Sequence, residues 1–158
     1  MWASAIAESA GILLYRLKGK SPELLLAHPG GPYWAKKDVG AWTVPKGEPE
    51  EGEELLACAL RELREELGPA PDLAAASLIP LGSVRQRGGK VVHAWAAEAD
   101  FDPAELSSIM AEVEWPPRSG RRREIPEVDR VEWFEPGEAR ERINDAQAEL
   151  IDRLLERL

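Results

Sequence analysis

The hydrophobic pattern opens with two short runs, "SAGILLYRL" (9–17) and "ELLLAH" (23–28), separated by "KGKSP". Compact apolar runs bounded by Gly, Lys, Ser and Pro predict two strands joined by a turn. "PGGPYWAKKDVG" (29–40) interrupts the pattern with glycines and aromatics and reads as a loop. "AWTVP" (41–45) reads as a further short strand, stopped by Pro45. The period then changes. In "EEGEELLACALRELREEL" (50–67) Leu56, Ala59, Leu60, Leu63 and Leu67 recur at helical spacing, and Gly68–Pro69 is a stop signal. "LIPLGSVRQR" (78–87) and "KVVHAWAAEA" (90–99) flank a glycine turn and predict a hairpin, with Val91, His93, Trp95 and Ala97 on one face of the second arm. Asp102 and Pro103 mark a helix start. "WPPRSGRRREIPE" (115–127) is irregular and basic, "DRVEWFE" (129–135) is a strand, and "DAQAELIDRLLERL" (145–158) is a closing amphipathic helix. Intermixed strands and helices without an internal repeat predict an α/β or α+β class with a mixed sheet.

Composition narrows the classes. A length of 158 residues predicts a single domain over 1–158, and 44% hydrophobic with 31% charged content suits a soluble globular chain. The net charge of −9 argues against tracking a nucleic acid polymer, so a phosphate ligand needs metal ions or a local basic patch. No apolar run approaches a membrane span. "MWASAIAESAG" lacks a basic start and contains Glu8, which makes it a poor signal peptide. Cys58 is the only cysteine, so no disulfide forms within the chain, and a cytoplasmic protein is the simplest expectation.

The candidate chemistry lies in "RELREELG" (61–68). With Glu62 at zero on a wheel of about 100° per residue, Glu66 falls at about 40°, Glu65 at about −60° and the apolar stripe at about 120°. Glu62 and Glu66 thus border the buried stripe, where a cleft beside the sheet can form, and Glu65 lies further out. On an exposed face, like charges one turn apart cost only about 0.2–0.5 kcal/mol, so an ordinary solvated surface is the plainer account of the charge cluster taken alone. Drawn into a cleft, two carboxylates about 6 Å apart repel by roughly 3 kcal/mol at an effective dielectric of about 20 and need a cation. Oxygen-only ligation points to Mg²⁺ or Mn²⁺, with Ca²⁺ as an inhibitory occupant.

The wider spacing separates the two readings. Residues 47–69 read "GEPEEGEELLACALRELREELGP": Gly47, five residues, Glu53, seven residues, Arg61-Glu62-Leu63, one residue, Glu65-Glu66, one residue, Gly68. This resembles the signature of the Nudix hydrolases, in which every polar and glycine position matches; Pro69 replaces the usual final aliphatic residue, which bears on how the helix ends and not on the ligands. The resemblance implies the family's α/β/α sandwich with a mixed β-sheet. It implies hydrolysis of a nucleoside diphosphate linked to another group, by water attack at phosphorus with Mg²⁺ (or Mn²⁺). Glu62, Glu65 and Glu66 match the family's metal ligands, joined by the main-chain carbonyl of Lys46, with Gly47 allowing a sharp turn there. Arg61 matches the arginine that fixes the glutamates, with Glu53 as its partner; a surface pair with Glu65 is the plainer role. Members often add a glutamate from a later loop as ligand or base. Glu124 and Glu127 are the candidates, and Glu127, six residues before Trp133, is placed as in the MutT-like branch. A helix glutamate can equally be the base.

Substrate recognition is less specific. Residues 28–47 resemble a bacterial group of nucleotide pyrophosphohydrolases and, more loosely, dinucleoside polyphosphate hydrolases. Tyr33 and Trp34 either stack a base or anchor their loop. Lys46 is a further candidate for substrate contact, with Lys36 and Lys37 beside the aromatics. Arg118, Arg121, Arg122 and Arg123 form the one basic cluster, suited to phosphate or simply to solvent. Gln147 sits where MutT-like members carry a base-reading asparagine. His93 and Trp95 are candidates for the cleft or the core, and Cys58 for a packed small residue. The function expected is a Mg²⁺-dependent pyrophosphohydrolase of nucleoside or dinucleoside polyphosphates. Nucleotide sugars or diphosphoinositol compounds are alternative substrates, and a nucleotide-sensing module without catalysis is the alternative class. The partner expected is a small-molecule nucleotide, with no nucleic acid polymer and no membrane; a homodimer is common in the family.

Overall fold

The computed structural model describes residues 6–69, 73 and 77–158. Residues 1–5, part of the stretch weighed above as a leader, lie outside the described residues. In chain order the elements are β1 (Glu8–Lys18), β2 (Ser21–Pro29), β3 (Lys46–Gly47), α1 (Leu55–Leu67), β4 (Ile79–Arg85), β5 (Val91–Glu98), β6 (Met110–Glu114), β7 (Arg122–Pro126), β8 (Val128–Phe134), α2 (Pro136–Arg142) and α3 (Ala148–Arg157), with short 3₁₀ turns at Pro103–Glu105 and Asp145–Gln147. Asp102 caps the first of these turns by accepting from the Ala104 N–H.

The main sheet runs β4-β5-β1-β2-β8, with β3 paired to β1. β1 and β5 are parallel and the other pairs antiparallel, so the sheet is mixed. Its two faces are both covered. Ala10, Ile12, Leu14, Leu25 and Ala27 pack against Cys58, Ala59, Leu63 and Leu67 of α1. Leu13, Tyr15, Leu24 and Leu26 point the other way and pack against Ala139 of α2 and Leu150, Ile151 and Leu154 of α3. Burial on both faces is why β1 and β2 read as continuous apolar runs instead of alternating ones. The result is an α/β/α sandwich. No helix among the described residues is long and apolar enough to cross a membrane.

β1 and β2 pair only next to their turn, from Tyr15↔Leu24 to Lys18↔Ser21. Beyond it they part, and the segment 43–47 enters the gap. Thr43 exchanges both main-chain bonds with Ala27 on the β2 side, and Lys46 pairs with Gly11 on the β1 side. Residues 41–45 are therefore not the regular strand expected. Trp42 and Thr43 make isolated bridges, and ladder pairing comes after Pro45 instead of ending there. Pro45 lacks an N–H but its carbonyl accepts from Ile12, which suits a residue crossing from one strand to the other.

Three further expectations need correction. α1 begins at Leu55, not residue 50, because Gly52 at φ +75° turns the chain and Glu53 bonds back to Glu50. Its buried face is Cys58, Ala59, Glu62, Leu63, Glu66 and Leu67, so the helix is rolled toward its acids and away from Leu56 and Leu60, which are only half-buried. The stretch 115–127 is not wholly irregular: β6 and β7 form a separate two-stranded hairpin, and α2 was not marked by any apolar period.

Candidate metal-centred site

One end of the sheet gathers the site. The start of β1 meets the start of β5 at Glu8↔Val91, the end of β4 joins them at Arg85↔Val91, and the end of β2 meets the start of β8 at Pro29↔Val128. β3 lies among them. Across this end α1 presents Glu62 and Glu66, and the residue between β7 and β8 is Glu127. Carboxylate oxygens of Glu62, Glu66 and Glu127 lie within 4.8 Å of one another. The Lys46 N–H donates to Glu66 Oε1 at 3.3 Å, which sets the main chain of β3 against the cluster.

Gly47 does not make the sharp turn expected of it. It is paired with Ala10 in β3 and is absent from the glycines at positive φ. What forbids a side chain is space: a Cβ there would lie 2.0 Å from Glu62 Cδ. Cys58, one turn before Glu62, is buried and directs Sγ to the Gly47 carbonyl at 3.4 Å. Burial pushes its thiol up to about 11, so it packs and does not react.

Glu127 arrives through main-chain bonds that no motif signals. The carbonyls of Glu65 and Leu67, left free by the end of α1, accept from the N–H groups of Ile109 and Ser107. The Ile109 carbonyl then accepts from Glu127 N–H at 3.0 Å, and the Glu127 carbonyl accepts from Gly30. Ser108 Oγ accepts from the Val128 N–H. Segment 107–109 thus ties the helix to the loop glutamate.

Arg61 is the hub of the outer side. Its Nε and Nη2 donate to the two oxygens of Glu53 at 2.8 Å each, and Nη1 donates to Glu62 and Glu65 at 2.9 Å each. Nη2 also reaches the Glu48 carbonyl at 3.0 Å. The bidentate geometry holds Glu53 down at about 2, and Glu53 in turn raises Arg61 further above its ordinary value.

The inner side lacks such compensation. Glu66 is 9% exposed, and burial pushes it up to about 8, with Lys46 opposing and the charges of Glu62 and Glu127 adding to the rise. Burial also raises Glu62, against its bond from Arg61, and raises Glu127, helped by Glu65. Burial lowers the Lys46 ammonium, and Lys90 lowers it further. Carboxylates forced together and short of positive charge fit a divalent cation, and a donor set made only of oxygens suits Mg²⁺ or Mn²⁺.

Other candidates lie at differing distances from this centre. Glu65 stands outside the three-carboxylate cluster, partly exposed and paired with Arg61. Glu124 is exposed on β7, opposite Glu112. Tyr33 and Trp34 meet edge to face at 5.0 Å beside the hairpin, with Lys37 Nζ 3.6 Å from the Tyr33 ring centre. Arg118 and Arg121 are exposed at the hairpin tip. Gln147 is buried, with Oε1 accepting from Val44 N–H and Nε2 donating to Gln86, so both ends of its amide are engaged. His93 pairs with Glu8 at 2.6 Å, and Trp95 packs partly against the α1-side core.

Comparisons with known proteins bear on the fold and the family. The family model for the NUDIX domain matches residues 6–154. No match is found among curated proteins. Among solved structures, the NUDIX domain of Shewanella oneidensis NrtR, complexed with ADP ribose, superposes with a TM-score of 0.66 at 19% identity, over 98% of this chain and 90% of that one. A C. elegans Ap4A hydrolase gives 0.63 at 22% identity over 96% of each chain. A mutT/nudix family protein from Listeria innocua gives 0.62 at 20% identity over 98% and 95%. At these identities the structural likenesses speak for the fold. The signature around α1 and a family match that spans nearly the whole chain go further: the chain belongs to the Nudix family, hydrolases that act on phosphorus-containing acid anhydrides.

Proposed function

We propose that this protein is a Mg²⁺-dependent (or Mn²⁺-dependent) pyrophosphohydrolase that cleaves a phosphoanhydride bond in a nucleoside polyphosphate or dinucleoside polyphosphate. The observation that carries this reading is the convergence of Glu62, Glu66 and Glu127 beside the Lys46 main chain. Glu62, Glu66, Glu127 and the Lys46 carbonyl would hold the cation, with Glu65 at the margin. A divalent cation bound there supplies charge neutralisation for the diphosphate and lowers the pKa of the attacking water. The chain does the rest. Arg61 keeps Glu62 and Glu65 in fixed rotamers through bonds it also makes to Glu53. Glu127, anchored by main-chain bonds on both sides, is our assignment for the group that accepts the proton of the water, through a carboxylate oxygen not engaged with the cation. The ADP ribose bound to the Shewanella domain, and the Ap4A that names the C. elegans hydrolase, support a nucleoside diphosphate as the shared recognition unit.

A nucleotide sugar is the second reading, favoured by the ADP ribose bound to the Shewanella domain. Phosphate release from a panel of nucleoside triphosphates, dinucleoside polyphosphates and nucleotide sugars separates the two. Glu66→Gln is expected to lower turnover by at least about a thousandfold with the fold intact, since Gln keeps the shape of the side chain and adds no charge to the buried position. A Glu66→Gln variant that hydrolyses its substrate at the native rate with Mg²⁺ present overturns the site. Nucleotide binding without hydrolysis of any substrate would favour a sensor.

A further inference from the structure

An aromatic cleft of ≈ 300 Å³ lies between the loop after β2 and the β6–β7 hairpin. Tyr33 and Trp34 form one wall, and Val113, Trp115 and Ile125 form the other. Two glycines let the walls meet. A Cβ on Gly30 would lie 2.0 Å from the Pro126 carbonyl oxygen, and one on Gly31, at φ +94°, would lie 2.6 Å from Ile125 Cδ1. The floor is joined to the carboxylate cluster, because Gly30 N–H donates to the carbonyl of Glu127 at 3.0 Å.

The hairpin register adds charge to this wall. Directly opposed residues of an antiparallel pair share a face. Val113 opposes Arg123, and Trp115 N–H bonds the carbonyl of Arg121, so both arginines stand on the face that lines the cleft. Among the described residues neither takes part in an ion pair, while Arg122, on the opposite face, pairs with Glu112. Glu114, the acid at the cleft, is turned back to accept from Arg118 N–H at 2.8 Å. Lys37 Nζ sits closest to the Tyr33 ring, 3.6 Å from its centre, and 5.2 Å from that of Trp34, so Trp115 and the Trp34 face turned from Lys37 are the stacking surfaces. Flat indole walls, unpaired arginines in a chain of net charge −9 and a floor one residue from a diphosphate-cleaving centre suit a planar ring attached to phosphates.

We propose that this cleft holds the nucleobase of the substrate, stacked on Trp34 and Trp115, with its phosphates directed past Gly30 to Glu127. The proposal rests on the nucleotide reading above and adds where the base goes. The competing location is a cleft of ≈ 410 Å³ on the β4 side, lined by Gln86, Arg87 and Asn144 among others.

The test is equilibrium binding with Mg²⁺, read by tryptophan emission and calorimetry. The probes are a nucleoside triphosphate with methylene-bridged phosphates and inorganic triphosphate, which has no base. The native protein is expected to bind both and to lose emission only with the nucleotide. Trp115→Ala and Trp34→Ala should each weaken the nucleotide about ten- to a hundredfold, the scale of one stacked base, and leave inorganic triphosphate within about twofold. Trp115→Phe should restore most of the affinity. Unchanged nucleotide affinity in both alanine variants overturns the cleft, as does a loss confined to Gln86→Ala or Asn144→Ala, which places the base on the β4 side. Failure of the native protein to bind either probe overturns the functional reading and the cleft with it. Base-dependent binding in a protein that hydrolyses no nucleotide sinks the hydrolase reading alone.

Discussion

At the scale of single residues, the site depends on one missing methyl group. Gly47 and Glu62 belong to different elements, yet the carboxylate occupies the volume in which any other residue at position 47 would carry its Cβ. Gly47→Ala forces Glu62 out of the cluster or β3 off β1. Displacing a catalytic group by about 1 Å costs on the order of a hundredfold in rate, and overpacking costs about 1–3 kcal/mol in stability. Activity and a thermal melt on Gly47→Ala should show both losses. Gly137→Ala is the control: a Cβ there meets nothing within 4 Å, it lies in α2, and its φ is not in the left-handed region. That variant should keep full activity and melt at or slightly above the native temperature. A Gly47→Ala protein with native activity would show that Glu62 does not need its present place.

At the scale of elements, the loop glutamate is only as well placed as the strap from α1 to Ile109. Ile109→Pro deletes the N–H that bonds the Glu65 carbonyl and restricts Ser108, whose Oγ accepts from Val128 N–H. The expected result is a fall in kcat of about tenfold or more with KM changed less, since Glu127 shifts while the substrate clefts remain. Ile109→Ala keeps the N–H and should behave as native; equal effects from the two variants would mean that the exposed side chain, not the strap, matters. This strap was invisible in the sequence because it uses main-chain groups of an unremarkable "SSI". The α1 ligands were legible for the opposite reason: one helix must carry them at fixed spacing, so the chemistry is written locally. β1, β2 and β5 were legible as apolar runs because both of their faces are covered. The roll of α1 was not, since periodicity counts Glu62 and Glu66 as polar although they are buried. The β6–β7 hairpin was missed because charges occupy both of its faces, from Glu112 and Arg122 to Arg123.

At the scale of the whole molecule, the three-carboxylate cluster is a liability unless a cation offsets it. Glu66 sits at about 8 in the folded chain against an ordinary 4.5. A carboxyl raised on folding binds its proton more tightly in the folded state, so its contribution to stability is complete below about pH 4.5 and is lost as pH climbs through about 8. In chelator, the native protein should therefore lose stability over that window relative to Glu66→Gln, which carries no charge there. Taking the difference between the two proteins cancels the contributions of the groups they share. A bound divalent cation reverses the slope, because it selects the ionised cluster and must displace the proton. At a hundredfold excess over its dissociation constant it adds about 2.7 kcal/mol, or about 5–10 °C in melting temperature for a chain of this size. The shift at fixed Mg²⁺ concentration should grow from pH 6 to pH 8 and shrink sharply in Glu66→Gln. Equal Mg²⁺ shifts in the two proteins at pH 8 would place the cation somewhere other than these glutamates.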